Sequence, residues 1–336
     1  MVVKFSAKGY NTGVNRKKRR LKTEMKKVLT LLFICIIAIC GTLGLTACGG
    51  EKNITVVARD QGSGTREAFD KVVTDGNGSY LQMKNSAGKT VYNTTDKADL
   101  MKETGTVMSK VASDKNAIGY ISLGSVNDTI KVVKVNGVMP SAATVLDGTY
   151  AIQRPFVIMT SSTTALNDVT ADFLLYLKSA ASKTHADKAG CIYLENPAQR
   201  ANAGETPIAV ETYEVKSALP AGGKITVNGS TSMEKFIKAA MSGYAALYGK
   251  TADDVFEALD LKGSSVGRTA VKNDKNGNVI GLSSAAVKED GINSFNVALD
   301  AVAVIVNNDN AAITDLTLAQ LYDIYTGKIT KFSEIK

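Results

Sequence analysis

The chain has 336 residues, 44% hydrophobic and 21% charged, enough apolar material for one large or two modest globular domains with real cores. Its formal charge of +8 is uneven: residues 1–47 carry ten Lys/Arg and one acid, Glu24, and leave the remainder with 30 basic against 31 acidic residues. A near-neutral folded part removes the case for nucleic-acid binding, and a single histidine, His185, removes most metal sites and the common acid–base catalysts.

The leader comes first in chain order. A basic stretch ending in Lys26 and Lys27 precedes the apolar run VLTLLFICIIAICGTLGL (28–45), then LTAC with Cys48. This is the logic of an export signal, with Met25 the expected true start. The LTAC tetrapeptide resembles the bacterial lipobox, which implies that Cys48 is diacylated and becomes the mature N-terminus. A plain transmembrane anchor is the competing expectation, because 18 apolar residues nearly span a bilayer. Cys35 and Cys40 also lie in the leader, so Cys191 has no partner and no disulfide framework is expected.

NITVVAR (53–59) is a β-branched run and predicts a buried strand. DQGSG is a turn, and TREAFDKVV starts a helix capped by Ser63 or Thr65. A helical pattern follows at 99–112, then strands at AIGYISL (117–123) and IKVVKVNGV (130–138). VTADFLLYLKSAAS (169–182) has apolar residues at helical spacing, and His185 behind it is expected at a solvated helix end or loop. A loop-like stretch occupies 195–207. KITV, NGSTS and a helix from about Met233 repeat the strand, hydroxyl-rich turn, helix scheme, which returns once more in LKGSSVGRTAVK (261–272). DAVAVIVN (300–307) predicts a strand and LTLAQLYDIYTG (316–327) a helix ended by Gly327. Strands alternating with helices indicate an α/β fold with largely parallel pairing.

Three turns rich in hydroxyls and glycine stand at predicted helix starts. A helix N-terminus exposes unpaired N–H groups and attracts anions, glycine lets the backbone approach, and Ser/Thr hydroxyls add donors without bulk. One such turn is an ordinary cap. Three of them, with the planar guanidinium fork of Arg59 just ahead of one, point to an oxyanion site. A serine-dependent hydrolase using Ser63 or Ser232 would need a nearby base and a G-x-S-x-G elbow or a metal, none of which the sequence supplies.

ITVVARDQGSGTREAF, VNGVMPSAATVLDGTYAIQRPF, ITVNGSTSMEKF and DAVAVIVNNDNAAITDLTLAQLYDIYTGKITKFSEI together resemble the phosphate-binding lipoproteins of bacterial phosphate ABC transporters. The resemblance implies a type II periplasmic-binding-protein-like α/β fold. In it two lobes close on one inorganic phosphate and hand it to a permease, with no chemistry and no cofactor or metal. It further implies a monomer, lipid-anchored on the outer face of the cytoplasmic membrane. The phosphate ligands it implies are Arg59, Ser63, Gly64 and Thr65 from one lobe and Thr231, Ser232, Ser264 and Ser284 from the other. Where some members carry a carboxylate that accepts the proton of hydrogen phosphate, this chain has Ser284, with Ser283 before it. Asp60, beside Arg59, is the alternative acceptor. A surface phosphate sensor or adhesin is the alternative function on the same fold.

The motif order departs from the family pattern, in which the GSTS turn comes first and the GSGT turn late. A circular permutation accounts for this, with the old ends joined through residues 195–223. Fusion or truncation of two tandem copies is the competing origin, which the single occurrence of each motif argues against. The expected organisation is a signal peptide at 1–47, a lipidated linker at 48–52, one lobe from 53–123 plus 307–336, and a second at 124–306. Strand 54–58 should then lie beside 327–335.

Overall fold

A computed structural model describes residues 52–193 and 212–335; the leader, Cys48 and the predicted loop at 195–207 lie outside them. Asn53–Lys336 form one compact unit. The first stretch contains β1 (Thr55–Arg59), α1 (Gly64–Val72), a hairpin of β2 (Gln82–Lys84) and β3 (Thr90–Tyr92), β4 (Asp99–Met101), α2 (Thr104–Ser113) and β5 (Ala117–Ser122). It continues with β6 (Ile130–Val135), α3 (Ala142–Leu146), β7 (Gln153–Ser161), α4 (Asp168–Lys178), α5 (Ala181–Ala189) and β8 (Ile192–Tyr193). The second stretch supplies β9 (Thr226–Gly229), α6 (Glu234–Leu247), α7 (Ala252–Val255), α8 (Ser264–Lys272), β10 (Val279–Ser283), β11 (Ile292–Asn307), β12 (Asp315–Leu316) and α9 (Leu318–Tyr325).

Ten strands make one sheet along the path β4-β1-β5-β11-β7-β10-β9, with β6 and β8 also on β11 and β12 on β6. Pairing is parallel toward the two ends, where β1 meets β4 and β5 and where β9 meets β10. The middle is antiparallel: β11 runs against β5, β6, β7 and β8, and β10 against β7. The fold is therefore α/β as expected, but mixed and not largely parallel. No helix links β10 to β11; residues 284–291 carry the chain past β7, to which both strands run antiparallel.

Sixteen-residue β11 serves both halves of the molecule. Residues from Ile292 to Ala301 pair with β7, and those from Val302 onward pair with β5 and β6. Two apolar cores flank this crossing. Val56, Phe69, Tyr120, Val133, Tyr150, Ile152, Val304 and Tyr325 belong to one. Phe156, Phe173, Phe236, Tyr244, Ile280, Leu282 and Ala298 belong to the other. Val133, Val135 and Val145 of β6 and α3 pack with the first core, β6 being paired with the far end of β11.

Three local expectations change. Asp99–Met101 is an edge strand paired with Val57–Arg59, so the helix begins only at Thr104. Parallel pairing with β1 overrides the helical spacing there. His185 is buried inside α5, where its Nε2 lies 2.6 Å from the Tyr176 hydroxyl and burial lowers its pKa. It packs so close to Gly243 of α6 that a Cβ there would sit 2.6 Å from its ring. Gly327 stands one place beyond the cap residue Thr326, at φ +80°, a conformation glycine adopts without strain. The expected proximity of strand 54–58 to 327–335 is present: the Ile54 amide donates to the Thr330 carbonyl at 2.7 Å, and the Tyr325 hydroxyl reaches the Val57 carbonyl at 3.3 Å.

Candidate anion-binding site

β1 delivers Arg59 to the site and an aromatic cluster fixes its end. The Arg59 amide donates to the Tyr120 hydroxyl at 3.1 Å, and Tyr120 stacks on Phe69 with centroids 4.0 Å apart. Such a pair adds about 0.5–1.5 kcal/mol beyond its buried area. Arg66, the second arginine of the motif, has a structural task. Its Nη1 donates to the Arg59 carbonyl at 2.9 Å and its Nε to Asp70 at 2.9 Å. Burial outweighs that pairing and pushes the Asp70 carboxyl up to about 6.

The Arg59 guanidinium is 1% exposed and all its partners are neutral oxygens. Nε donates to the Met101 carbonyl at 3.2 Å, and Nη2 to the Lys102 carbonyl at 2.5 Å and to Thr231 Oγ1 at 3.2 Å. Nη1 donates to Thr104 Oγ1 at 3.3 Å. Burial pushes its pKa down to about 10. Among the described residues no carboxylate hydrogen-bonds this cation, Asp60 and Glu103 acting on it only through space, and an anion is what such a place favours.

The three turns converge on it. Ser63 caps α1, accepting from the Thr65 and Arg66 amides. Ser230 accepts from the Ser232 amide at the turn that leads into α6. Gly263 precedes α8 with no side-chain cap, so the first amides of that helix are left to other acceptors. Hydroxyls of the two halves touch: Thr65 Oγ1 and Ser232 Oγ are 3.0 Å apart, as Thr104 and Thr231 are at 3.2 Å. Ser230 Oγ donates to Ser284 Oγ at 2.8 Å, and the Ser284 amide to Ser264 Oγ at 3.0 Å. Gly229 makes the tight exit from β9 possible at φ +134°, since a Cβ there would lie 2.2 Å from the Leu282 carbonyl.

All eight residues expected from the sequence are therefore gathered in one buried cluster. Ser283 is not part of it; its hydroxyl turns to the Ala285 carbonyl. Two members were missed. Ser230 lies in the NGSTS turn beside the expected Thr231 and Ser232, and Thr104 lies inside a stretch read as helix, with no local signal to separate it. Asp60 has an Oδ1 that is buried without a hydrogen-bond partner among the described residues.

Gly64 shows how closely the halves approach. A Cβ there would stand 2.5 Å from Ser264 Oγ, 2.7 Å from Ser284 Oγ and 2.8 Å from the Ser284 carbonyl carbon. Gly64→Ala should then hold the halves apart and weaken anion binding tenfold or more. Because the atoms that must give way include the Ser284 backbone, the same change should also lower the melting temperature. Calorimetry beside a thermal melt checks both, and unchanged affinity would contradict the close approach.

Comparison with known proteins gives consistent matches. The PBP superfamily domain model matches residues 214–334. "Phosphate-binding protein PstS 2" of Streptococcus pneumoniae is 34% identical over 324 residues, covering 93% of this chain and 100% of the relative. Its counterpart in Streptococcus agalactiae is 29% identical over 321 residues, covering 93% and 99%. The crystal structure of a phosphate ABC transporter phosphate-binding protein from Streptococcus pneumoniae superposes with a TM-score of 0.58 at 33% identity, over 84% of this chain and 100% of that one. The sequence match takes in the whole length of these relatives and the structural match carries the same fold, so this chain belongs to the PstS family of phosphate-binding proteins within the PBP superfamily.

Proposed function

We infer that this chain is an extracytoplasmic substrate-binding protein that captures inorganic phosphate between its two halves and delivers it to the permease of an ABC importer. The observation that carries the inference is the buried Arg59, which has no carboxylate partner among its contacts and is ringed by hydroxyls from turns of both halves. Phosphate fits that chemistry. The one N–H of the Arg59 guanidinium left free by its protein partners takes one of its oxygens, and Ser63, Thr65, Thr231, Ser232, Ser264 and Ser284, with the amide of Gly64, supply donors for the rest. Charge-assisted hydrogen bonds of about 1.5–3 kcal/mol each reach the roughly 8 kcal/mol of micromolar affinity with only a handful of contacts, after desolvation is subtracted. The near-neutral folded part leaves capture to this local geometry and not to long-range steering. No step of chemistry is needed, and binding followed by release is the whole activity.

Selectivity over sulfate rests on an acceptor for the proton that hydrogen phosphate carries. Ser284 can accept through a lone pair, and the unpartnered Oδ1 of Asp60 is the nearby carboxylate oxygen. Calorimetric titration of the full chain with phosphate, arsenate and sulfate tests the function. Micromolar or tighter phosphate binding supports it, and equal or tighter sulfate binding contradicts it.

The protein acts as a monomer tethered through Cys48 to the outer face of the cytoplasmic membrane. Cys48→Ser should block diacylation and signal cleavage and leave a slower-migrating precursor. Metabolic labelling with a fatty-acid analogue should mark only the wild type; label that persists in the variant would point to a different anchor.

A further inference from the structure

We propose that Thr104 is a positioning residue of the phosphate site, locking the Arg59 guanidinium by its outer edge and tying that lock to Thr231 of the opposite half. The proposal rests on the phosphate-binding reading above and adds a residue that the sequence motifs do not contain.

Arg59 and Met101 are register partners in the parallel pair of β1 and β4. Immediately beyond Met101 the chain leaves the sheet and starts α2, so the carbonyls of Met101 and Lys102 and the hydroxyl of Thr104 wrap around one side chain. Thr104 Oγ1, Thr231 Oγ1 and the two terminal nitrogens of Arg59 close a ring, with contacts of 3.3, 3.2 and 3.2 Å. Each guanidinium nitrogen donates, both hydroxyls accept, and one hydroxyl donates to the other. Four of the five N–H donors of Arg59 are thereby directed by neutral oxygens. Thr104 is itself buried at 6% exposure, so water does not replace its oxygen easily.

Neutral clamps matter for two reasons. A guanidinium on a long side chain has rotamers to lose, and fixing it before the anion arrives removes that cost from binding. A carboxylate in the same place would fix it equally well but cancel the charge that the anion needs. The ring also spans the two halves, because Thr231 follows β9 while Thr104 follows β4. The Met101, Lys102 and Thr104 contacts already hold Arg59 from its own half, and Thr231 adds the contact across the halves.

Two variants of the full chain separate positioning from packing. Thr104→Val keeps the shape and removes the hydroxyl; Thr104→Ser keeps the hydroxyl. Phosphate affinity by calorimetry should fall about tenfold in the valine variant and stay within about threefold of wild type in the serine variant, with melting temperatures of both near wild type. Guanidinium NMR of Arg59, recorded without phosphate, reads the positioning itself. Slow rotation about the Cζ–N bonds should persist in wild type and the serine variant and be lost in the valine variant. Unchanged Arg59 dynamics in Thr104→Val, or a serine variant as impaired as the valine one, would overturn the proposal. Absence of phosphate binding by the wild type would instead count against the functional reading, while the NMR comparison still decides the role of Thr104.

Discussion

Replacing Arg59 by alanine should reduce phosphate affinity by about tenfold to a hundredfold, because the charge-assisted bond of about 1.5–3 kcal/mol from its free N–H is lost along with the buried positive charge. The fold should survive. Truncation frees the Met101 and Lys102 carbonyls, but it also removes a desolvated cation that no carboxylate hydrogen-bonds among the described residues, and these two effects oppose each other. Arg59→Lys should recover only part of the affinity, since an ammonium keeps the charge and loses the fork. The affinity of the wild type should also fall as pH rises through about 10. Burial lowers the Arg59 pKa to that value, an anion binds the charged form, and phosphate itself keeps its charge across that window. Calorimetry on the variants, and on wild type at pH 8 and above 10, checks this; full affinity in Arg59→Ala would remove the site assignment.

The largest stability effect is expected at the crossing of the two halves. Arg154 on β7 and Asp300 on β11 are cross-strand neighbours, and both are buried. Arg154 Nη2 and Nε donate to Asp300 Oδ2 at 2.8 and 3.0 Å, and Ser122 Oγ donates to Oδ1 at 2.9 Å. Asp300→Ala leaves a guanidinium unpaired in the middle of the sheet and should cost about 3–5 kcal/mol in urea or thermal unfolding. Burial raises the Asp300 carboxyl and lowers Arg154, so desolvation outweighs their attraction in both. Replacing the pair together, as Arg154→Met with Asp300→Leu, should therefore recover most of the loss. A loss below about 1 kcal/mol in Asp300→Ala would show that Arg154 finds another partner.

The sequence by itself determined the elements that local chemistry specifies. The β-branched run before Arg59, the Ser63 cap and the hydroxyl-rich turn at 230–232 depend on residues adjacent in the chain, and each stands where the pattern placed it. The anion chemistry was legible for the same reason, since a fork and three glycine–hydroxyl turns carry their donors in their own composition. Tertiary structure decided what contacts distant in sequence impose. Asp99–Met101 became an edge strand because β1 was there to pair with it, and His185 was buried because Gly243 leaves room for its ring. One strand of sixteen residues contributes to both cores, and no local pattern marks where it passes from one to the other. Thr104 entered the site by the same route: 45 residues from Arg59 in sequence, it reaches the guanidinium only because parallel pairing sets β4 beside β1.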